Sequence, residues 1–486
     1  MQSQQPIRPM KLLKIKINIL LILALSPSGF ASGTLTLDKV LQSTRSFYPK
    51  NLGMKYVAEK ARAKSDGAMG NFDPKLSLKG EVQPTSFYQN NEVLAGVELP
   101  TRLWGTSFFA GWRRSQGKFP DYEGKRVTGE DGELNLGFNV PLLRGGPTDP
   151  ERTEIEVANS RATEREAALD SAVLNSLLVA SIKYWKWVES VQRLKITESL
   201  LEAAEERKSW INTRVKLGDI PALEAKDNER TILDRKTKVV IAEQELMSAA
   251  LELSMYYRDE QGLPQVPNPD QAPKAFPEAN HFSPEETTAK SSLAFKLRPE
   301  LRQVTAKVAE INAELGLAET ELLPTLDFYT QGSRDFGTVD VTRQGTELKA
   351  GLVFKIPLWR RKAKGQVAAA SAQKMKLETE ARLIRDQIKV NVSQSLAALI
   401  STFQQIKFAQ EEVELNAQLV KGEQTRFKQG DSHIMFVNLR ELNLVDSEMR
   451  LVKARSKHQQ GLAHLLYVTG ELANPLQEKA PDTKEP

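Results

Sequence analysis

The chain has 486 residues, with 67 Lys+Arg against 62 Asp+Glu, a near balance that gives no electrostatic case for nucleic acid as a partner. It has no cysteine, which excludes disulfides, thiolate metal sites and cysteine nucleophiles. The four histidines, His281, His433, His458 and His464, are never four apart and form no HExxH, which argues against a zinc hydrolase. At the N-terminus Lys11, Lys14 and Lys16 precede the apolar run 17–25, with a small-residue site near Gly29-Phe30-Ala31. That is the layout of a secretory signal over residues 1–31; the alternative, a membrane anchor, needs a longer run. No later segment has about 18 consecutive apolar residues, so any membrane span has to be made of strands.

The mature chain begins with a helical segment over 35–70. Residues 74–141 then alternate in strand fashion, broken by Gly, Pro and Asn. A long charged helix over 150–217 ends in TRVKLGD, and Pro221 opens a second helix to about Tyr257. Residues 258–297 hold six prolines and read as a linker. The order then recurs as helix 298–322, strands within 324–357, long helix 361–429, turn, and helix 434–468. A polar tail, 471–486, closes the chain and is expected to be disordered.

The recurrence is a duplication. TRVKLGD (213–219) returns as TRFKQGD (425–431), an offset of 212 that also pairs Glu229 with Glu441, Asp234 with Asp446 and Leu253 with Leu465. NVPLL (139–143) echoes KIPLW (355–359) at 216, and DPKLSL (73–78) echoes LPTLDF (323–328) at 250. The difference, 250 − 216 = 34, is additional length in the first strand region. It has room for two more strands, near 93–99 and 105–114, and whether these join a common sheet is left open by the pattern.

The helices carry seven-residue repeats, the mark of coiled coils. Val392, Leu399, Ile406, Val413, Val420 and Phe427 form one series. Ala180, Trp187, Leu194, Leu201 and Val215 form its counterpart, with Lys208 the single break. In the rising helices, Ile232, Val239, Leu246 and Leu253 match Leu444, Leu451, His458 and Leu465, and His458 is expected to serve packing or register rather than ligation. Leu134, Leu136, Phe138 and Val140 alternate with polar neighbours, as do Leu348, Ala350, Leu352, Phe354 and Ile356. Such strands of about ten residues suit a membrane barrel, though a soluble sandwich alternates equally well.

A signal, then strands, long helix, glycine turn and helix written twice about a linker, resemble the TolC family of outer-membrane efflux proteins. The resemblance covers roughly 35–470 and rests on VPLLRGG (140–146), IPLWRRKAKG (356–365) and the two tip turns. It implies a mainly α, α+β fold in two structural repeats: 35–257 with helical hairpin 147–257, and 298–470 with hairpin 360–468, joined by the equatorial linker 258–297. It implies a homotrimer in which the strands close one transmembrane β-barrel in the outer membrane of a Gram-negative cell, continuous with a periplasmic α-helical barrel. It further implies a passive duct in tripartite efflux or type I secretion. Its partners would be a periplasmic adaptor (membrane fusion protein) and an inner-membrane transporter of RND, ABC or MFS type. No catalytic, cofactor or metal residue is assigned.

Within that frame, Leu217, Gly218, Asp219, Gln429, Gly430 and Asp431 are the adaptor-docking tips. Pro141 and Pro357 are strand-to-helix junctions, placed where a residue without an N–H must end a ladder. Arg360, Arg361, Lys362 and Lys364 then lie at the height of lipid headgroups or on a solvated helix start. The family's acidic periplasmic constriction falls on Phe436 and Leu439, a departure from its pattern, while the first-repeat counterparts are Glu224 and Asp227. An apolar constriction and simple packing between helices are both open for Phe436 and Leu439. The competing class is a periplasmic coiled-coil adaptor or scaffold without a membrane barrel.

Overall fold

A computed structural model describes residues 33–85, 87–120, 126–338 and 345–473, so the expected signal segment, 1–31, and residues 474–486 of the expected tail lie outside the described residues. The first repeat runs α1 (Leu37–Phe47), α2 (Pro49–Ala68), β1 (Lys75–Gln83), β2 (Asn90–Pro100), β3 (Ser107–Gly117), β4 (Gly132–Pro141), α3 (Pro150–Lys216) and α4 (Ala222–Ser254). The second runs α5 (Glu286–Leu297), α6 (Pro299–Thr320), β5 (Thr325–Phe336), β6 (Thr346–Lys355), α7 (Arg361–Gln429) and α8 (Ile434–Thr469).

Each leader is two helices, not one. Proline has no N–H to donate and forces its predecessor out of the helical region, so each helix stops one residue before a proline that opens the next. Tyr48 (φ −71°, ψ 121°) before Pro49 and Arg298 (φ −67°, ψ 121°) before Pro299 take the same extended conformation. Their N–H groups donate to Thr44 and Ala294, again 250 apart. The expected linker therefore ends earlier than 297, because α5 is the counterpart of α1. The first three residues of the expected tail are ordered: Glu471–Ala473 forms a 3-10 turn whose Leu472 is buried.

At the middle of the molecule the two repeats build matching cores. Ala180, Tyr184 and Trp187 of α3 pack with Leu246 and Leu253 of α4. At an offset of 212, Val392, Leu396 and Leu399 of α7 pack with Leu465 of α8. The linker straps across this level. The Ser43 hydroxyl donates to the Arg258 carbonyl (2.7 Å), and the amides of Gln192 and Gln459 donate to the carbonyls of Pro273 and Pro277.

Below the middle, the first-repeat seam departs from the heptad reading. The buried residues are Thr197, Leu200, Ala204 and Ile211, so the seam bypasses Lys208, which is exposed. His458 is buried with Nδ1 3.1 Å from Thr402 Oγ1, and burial lowers its pKa.

Candidate functional site

Three regions carry the expected functional residues. The first is the sheet: six antiparallel strands in the order β1-β2-β3-β4-β5-β6, sequential neighbours throughout, with the helical hairpin α3–α4 and the second leader both inserted between β4 and β5. The two additional strands are β2 and β3, and they lie inside it. One register row reads Leu76, Val97, Ala110, Leu136, Gly332, Leu348. Side chains alternate along a strand, so every second row shares that face. The next row in one direction is Leu78, Ala95, Trp112, Leu134; in the other, Leu99, Phe108, Phe138. Rings of Phe108, Phe138 and Phe328 follow one another at 6.1 Å. This face is apolar and open: Leu76 is 80% exposed and Leu348 79%.

The opposite face is polar. Its rows include Ser77, Gly96, Gly111, Asn135, Ser333 and Glu347. A charged cluster sits there, with Arg113 2.5 Å from Glu133 and Arg126 2.9 Å from Glu92. The connection between β2 and β3 at the helical end is short (101–106). At the far end, those after β3 and β5 span 118–131 and 337–345. The β1–β2 connection at that far end, 84–89, is as short as 101–106, so the longer connections belong to β3 and β5 alone.

The second region is the junction. Pro141 is the last residue of β4, in register with Asp327, and Pro357 lies two residues beyond the end of β6. The two helix starts differ. Asp149 caps α3 by accepting from the Arg152 N–H (2.6 Å), whereas Arg360 precedes α7 in the left-handed region (φ 49°). Trp104, Leu358 and Trp359 are exposed at this level beside Arg361, Lys362 and Lys364. Aromatic rings with cations next to them match the chemistry of a lipid–water boundary.

The third region is the pair of tips. Gly218 (φ 79°) and Gly430 (φ 89°) both adopt the left-handed conformation that closes a helix without a Cβ clash. The closing bonds repeat at 212: Asp219 N–H to Arg214 carbonyl (3.0 Å) and Asp431 N–H to Arg426 carbonyl (2.9 Å). Leu217, Gly218, Asp219, Gln429, Gly430 and Asp431 are all exposed.

The tips touch each other. Ile211 and Trp210 of α3 pack against Phe427 of α7 and Ile434 and Val437 of α8. Of the four constriction candidates, Glu224 faces the other hairpin, with Oε1 3.8 Å from His433 Nδ1, and its Oε2 is buried without a hydrogen-bond partner. Asp227 instead accepts from Arg230 on its own helix (3.1 Å). Phe436 (44% exposed) and Leu439 (51%) point away from the packed interface of the protomer. The four are not gathered into one cluster within a protomer.

A cluster that the sequence reading missed lies just above the tips. Glu441 of α8 is buried between Arg207 of α3, whose guanidinium donates to Oε1, and Arg235 of α4, 2.8 Å from Oε2. Arg235 also donates to the Leu200 carbonyl, and Arg207 to Asn438 Oδ1 (3.0 Å). Burial pushes the Glu441 carboxyl up, but the charges and hydrogen bonds of Arg207 and Arg235 outweigh it, and the net shift is down. The available signal was Arg235, one helical turn from Ile232 on an apolar stripe. The repeat counterpart of Glu441 offers no parallel, since Glu229 is exposed and pairs with Lys226.

Residues 291–471 match the family model described as Outer membrane efflux protein. No curated protein matches by sequence. The whole fold is similar to solved outer-membrane channels. One is the channel OprN, at 13% identity and TM-score 0.64 over 89% of both chains. Another is the Campylobacter jejuni CmeC outer membrane channel, at 13% and 0.62 over 89% of this chain and 85% of that one. A third is the open state of the Neisseria gonorrhoeae MtrE outer membrane channel, at 15% and 0.61 over 89% and 88%.

Proposed function

We propose, for a chain whose residues 291–471 match the outer membrane efflux protein model and whose fold is similar to that of solved outer-membrane channels, that it forms the outer-membrane duct of a tripartite export system. The observation that carries the reading is the coincidence of the unpaired edges. The sheet ends at β1 and β6. Among the helices, the upper level packs in the order α2, α3, α6, α7 and the lower level in the order α4, α3, α8, α7. The open edges are therefore α2 and α4 on the side of β1, and α7 on the side of β6. Both edges also carry exposed apolar residues seven apart: Leu233, Val240 and Met247 on α4, and Leu383 with Val390 and Phe408 with Leu415 on α7.

An edge that differs from its opposite edge joins copies head to tail, and such contacts close into a ring where the rotation between copies divides a full turn. Three copies form that ring. Open strand edges in lipid cost several kcal/mol per unsatisfied group, and closure removes them. The polar face then lines water and the apolar face meets lipid. A scaffold without a barrel leaves Leu76, Leu78, Leu348 and Leu352 in water for no return. The long helices, 67 residues in α3 and 69 in α7, reach about 100 Å at 1.5 Å per residue, a periplasmic span.

The duct is passive and not an enzyme: no step is catalysed, and an inner-membrane transporter supplies the work. The exposed glycine turns receive the periplasmic adaptor, and the basic helix start of α7 meets anionic headgroups. Detergent-extracted protein placed in a planar bilayer should give long-lived, discrete conductance steps. Protein that inserts no conducting unit contradicts the duct.

A further inference from the structure

The first strand region is not merely a longer version of the second. Strand β1 is the counterpart of β5 at an offset of 250, and β4 the counterpart of β6 at 216. The surplus between them is one complete hairpin, β2 and β3. That hairpin does not fold back or stand aside. β2 pairs with β1 from Asn90 to Glu98, and β3 pairs with β4 from Ser107 to Arg113, so the hairpin separates two strands that its absence would leave adjacent.

We infer that, in the assembled duct, this inserted hairpin widens the transmembrane barrel to eighteen strands, three copies of a six-stranded sheet. The inference rests on the duct reading and adds the strand count and bore.

Three observations support it. The hairpin adds two strands, an even number. It therefore preserves the antiparallel alternation, and β6 still meets the next copy's β1 in opposite direction. The apolar rows cross the hairpin without a break, since Val93, Val97, Leu99, Phe108 and Trp112 continue the face begun by Leu76 and completed by Leu348. A hairpin lying outside the barrel would expose those residues to water. The polar face is equally continuous. Glu92 of β2 is buried there against Ser115 of β3 (3.0 Å) and Arg126 (2.9 Å), with Arg113 bridging onward to Glu133 of β4.

The widths also agree. Strands about 4.8 Å apart and tilted about 40° give an eighteen-stranded barrel a diameter of roughly 36 Å between backbones. Four helices per level in each protomer make a twelve-helix wall, and at 8–10 Å between axes its diameter is roughly 31–38 Å. A barrel without the hairpin, at four strands per copy, is roughly 24 Å across by the same geometry. The eighteen-stranded form therefore continues the helical bore with no step, on the scale of barrels that hold an open aqueous channel. A cargo the width of an α-helix, about 10–12 Å with side chains, passes this barrel without contact with its wall. Size selection then falls to the periplasmic tips.

The test is a cryo-electron microscopy view of the intact protein in lipid nanodiscs, down the ring axis. Single spin labels at Val97→Cys and Glu98→Cys supplement it, placed without interference because the chain has no cysteine. Eighteen strands, with Val97→Cys accessible to oxygen in lipid and Glu98→Cys accessible to a water-soluble relaxant, is the expected result. A closed ring of twelve strands, with both labels in water, overturns the inference and leaves the duct standing. A protein that forms no closed ring overturns both.

Discussion

Replacing Glu441 by Gln removes the single negative charge between two arginines that join the first hairpin to the second. The Arg235 side chain is 1% exposed and that of Arg207 is 11%, so neither guanidinium finds water when its partner is neutralised. Breaking a buried pair by removing one partner costs about 3–5 kcal/mol. Glutamine keeps one acceptor, which places the loss near the lower end, about 3 kcal/mol. At about 1.4 kcal/mol per decade, local opening then rises on the order of 100-fold. Native-state hydrogen exchange of the detergent-solubilised protein reads this directly in the amides of α8 around 438–445.

Acid should mimic the substitution. The Glu441 carboxyl lies below its ordinary value of 4.5, despite burial pushing it up, because Arg207 and Arg235 pull it down. A lowered acid contributes stability that is fully present above the unfolded value and lost as pH falls through the folded one. Wild-type α8 should therefore loosen only below about pH 4.5, and Glu441→Gln should lack that acid step. A triple replacement of Glu441, Arg207 and Arg235 by apolar residues of similar volume should restore protection. Exchange in Glu441→Gln within about threefold of wild type would refute the claim that this cluster joins the hairpins.

Leu352→Lys on the open apolar face of β6 should cost about 2–4 kcal/mol near the bilayer midplane and sharply reduce inserted protein. Val353→Lys, one residue on and in register with Asp327, should insert normally; equal yields of the two variants would mean the face does not meet lipid. Trp187→Ala should cost about 3–5 kcal/mol, because the side chain is fully buried in the equatorial core. Trp187→Phe should cost less, since the indole N–H has no partner to lose; a thermal melt followed at 222 nm separates them. Gly218→Val with Gly430→Val meets no steric neighbour, so its effect comes only from forcing a β-branched residue into left-handed backbone, about 1–2 kcal/mol per site. Rings should persist while export in a strain dependent on this duct is lost, and unchanged export would remove the tips from the docking account.

Much of this architecture was written at short range. The two tip turns, the long helices and the alternating strands follow from local pattern, and α7 spans Arg361–Gln429, from just past Pro357 to the glycine turn. What escaped has a common cause: the deciding term lay outside the window being read. The break at Tyr48 turns on Pro49 alone, and only the matching Pro299 shows that α5 belongs to the leader rather than the linker. Lys208 looked like a flaw in a heptad because the seam shifts to Leu200, Ala204 and Ile211, a choice made by which helix lies alongside. The Arg207–Glu441–Arg235 cluster draws on three helices up to 234 residues apart, and no spacing rule reaches that far. For the constriction candidates, only Glu224 meets the other hairpin, and the direction of Phe436 and Leu439 gains meaning only beside a second copy.

The most direct test of the duct is the native mass of the protein extracted by detergent from separated outer membranes. Three copies in that fraction are the predicted result, each supplying one sheet edge to the next. A monomer in the soluble periplasmic fraction would contradict the account, because the open apolar sheet face and both unpaired edges would then have to persist in water.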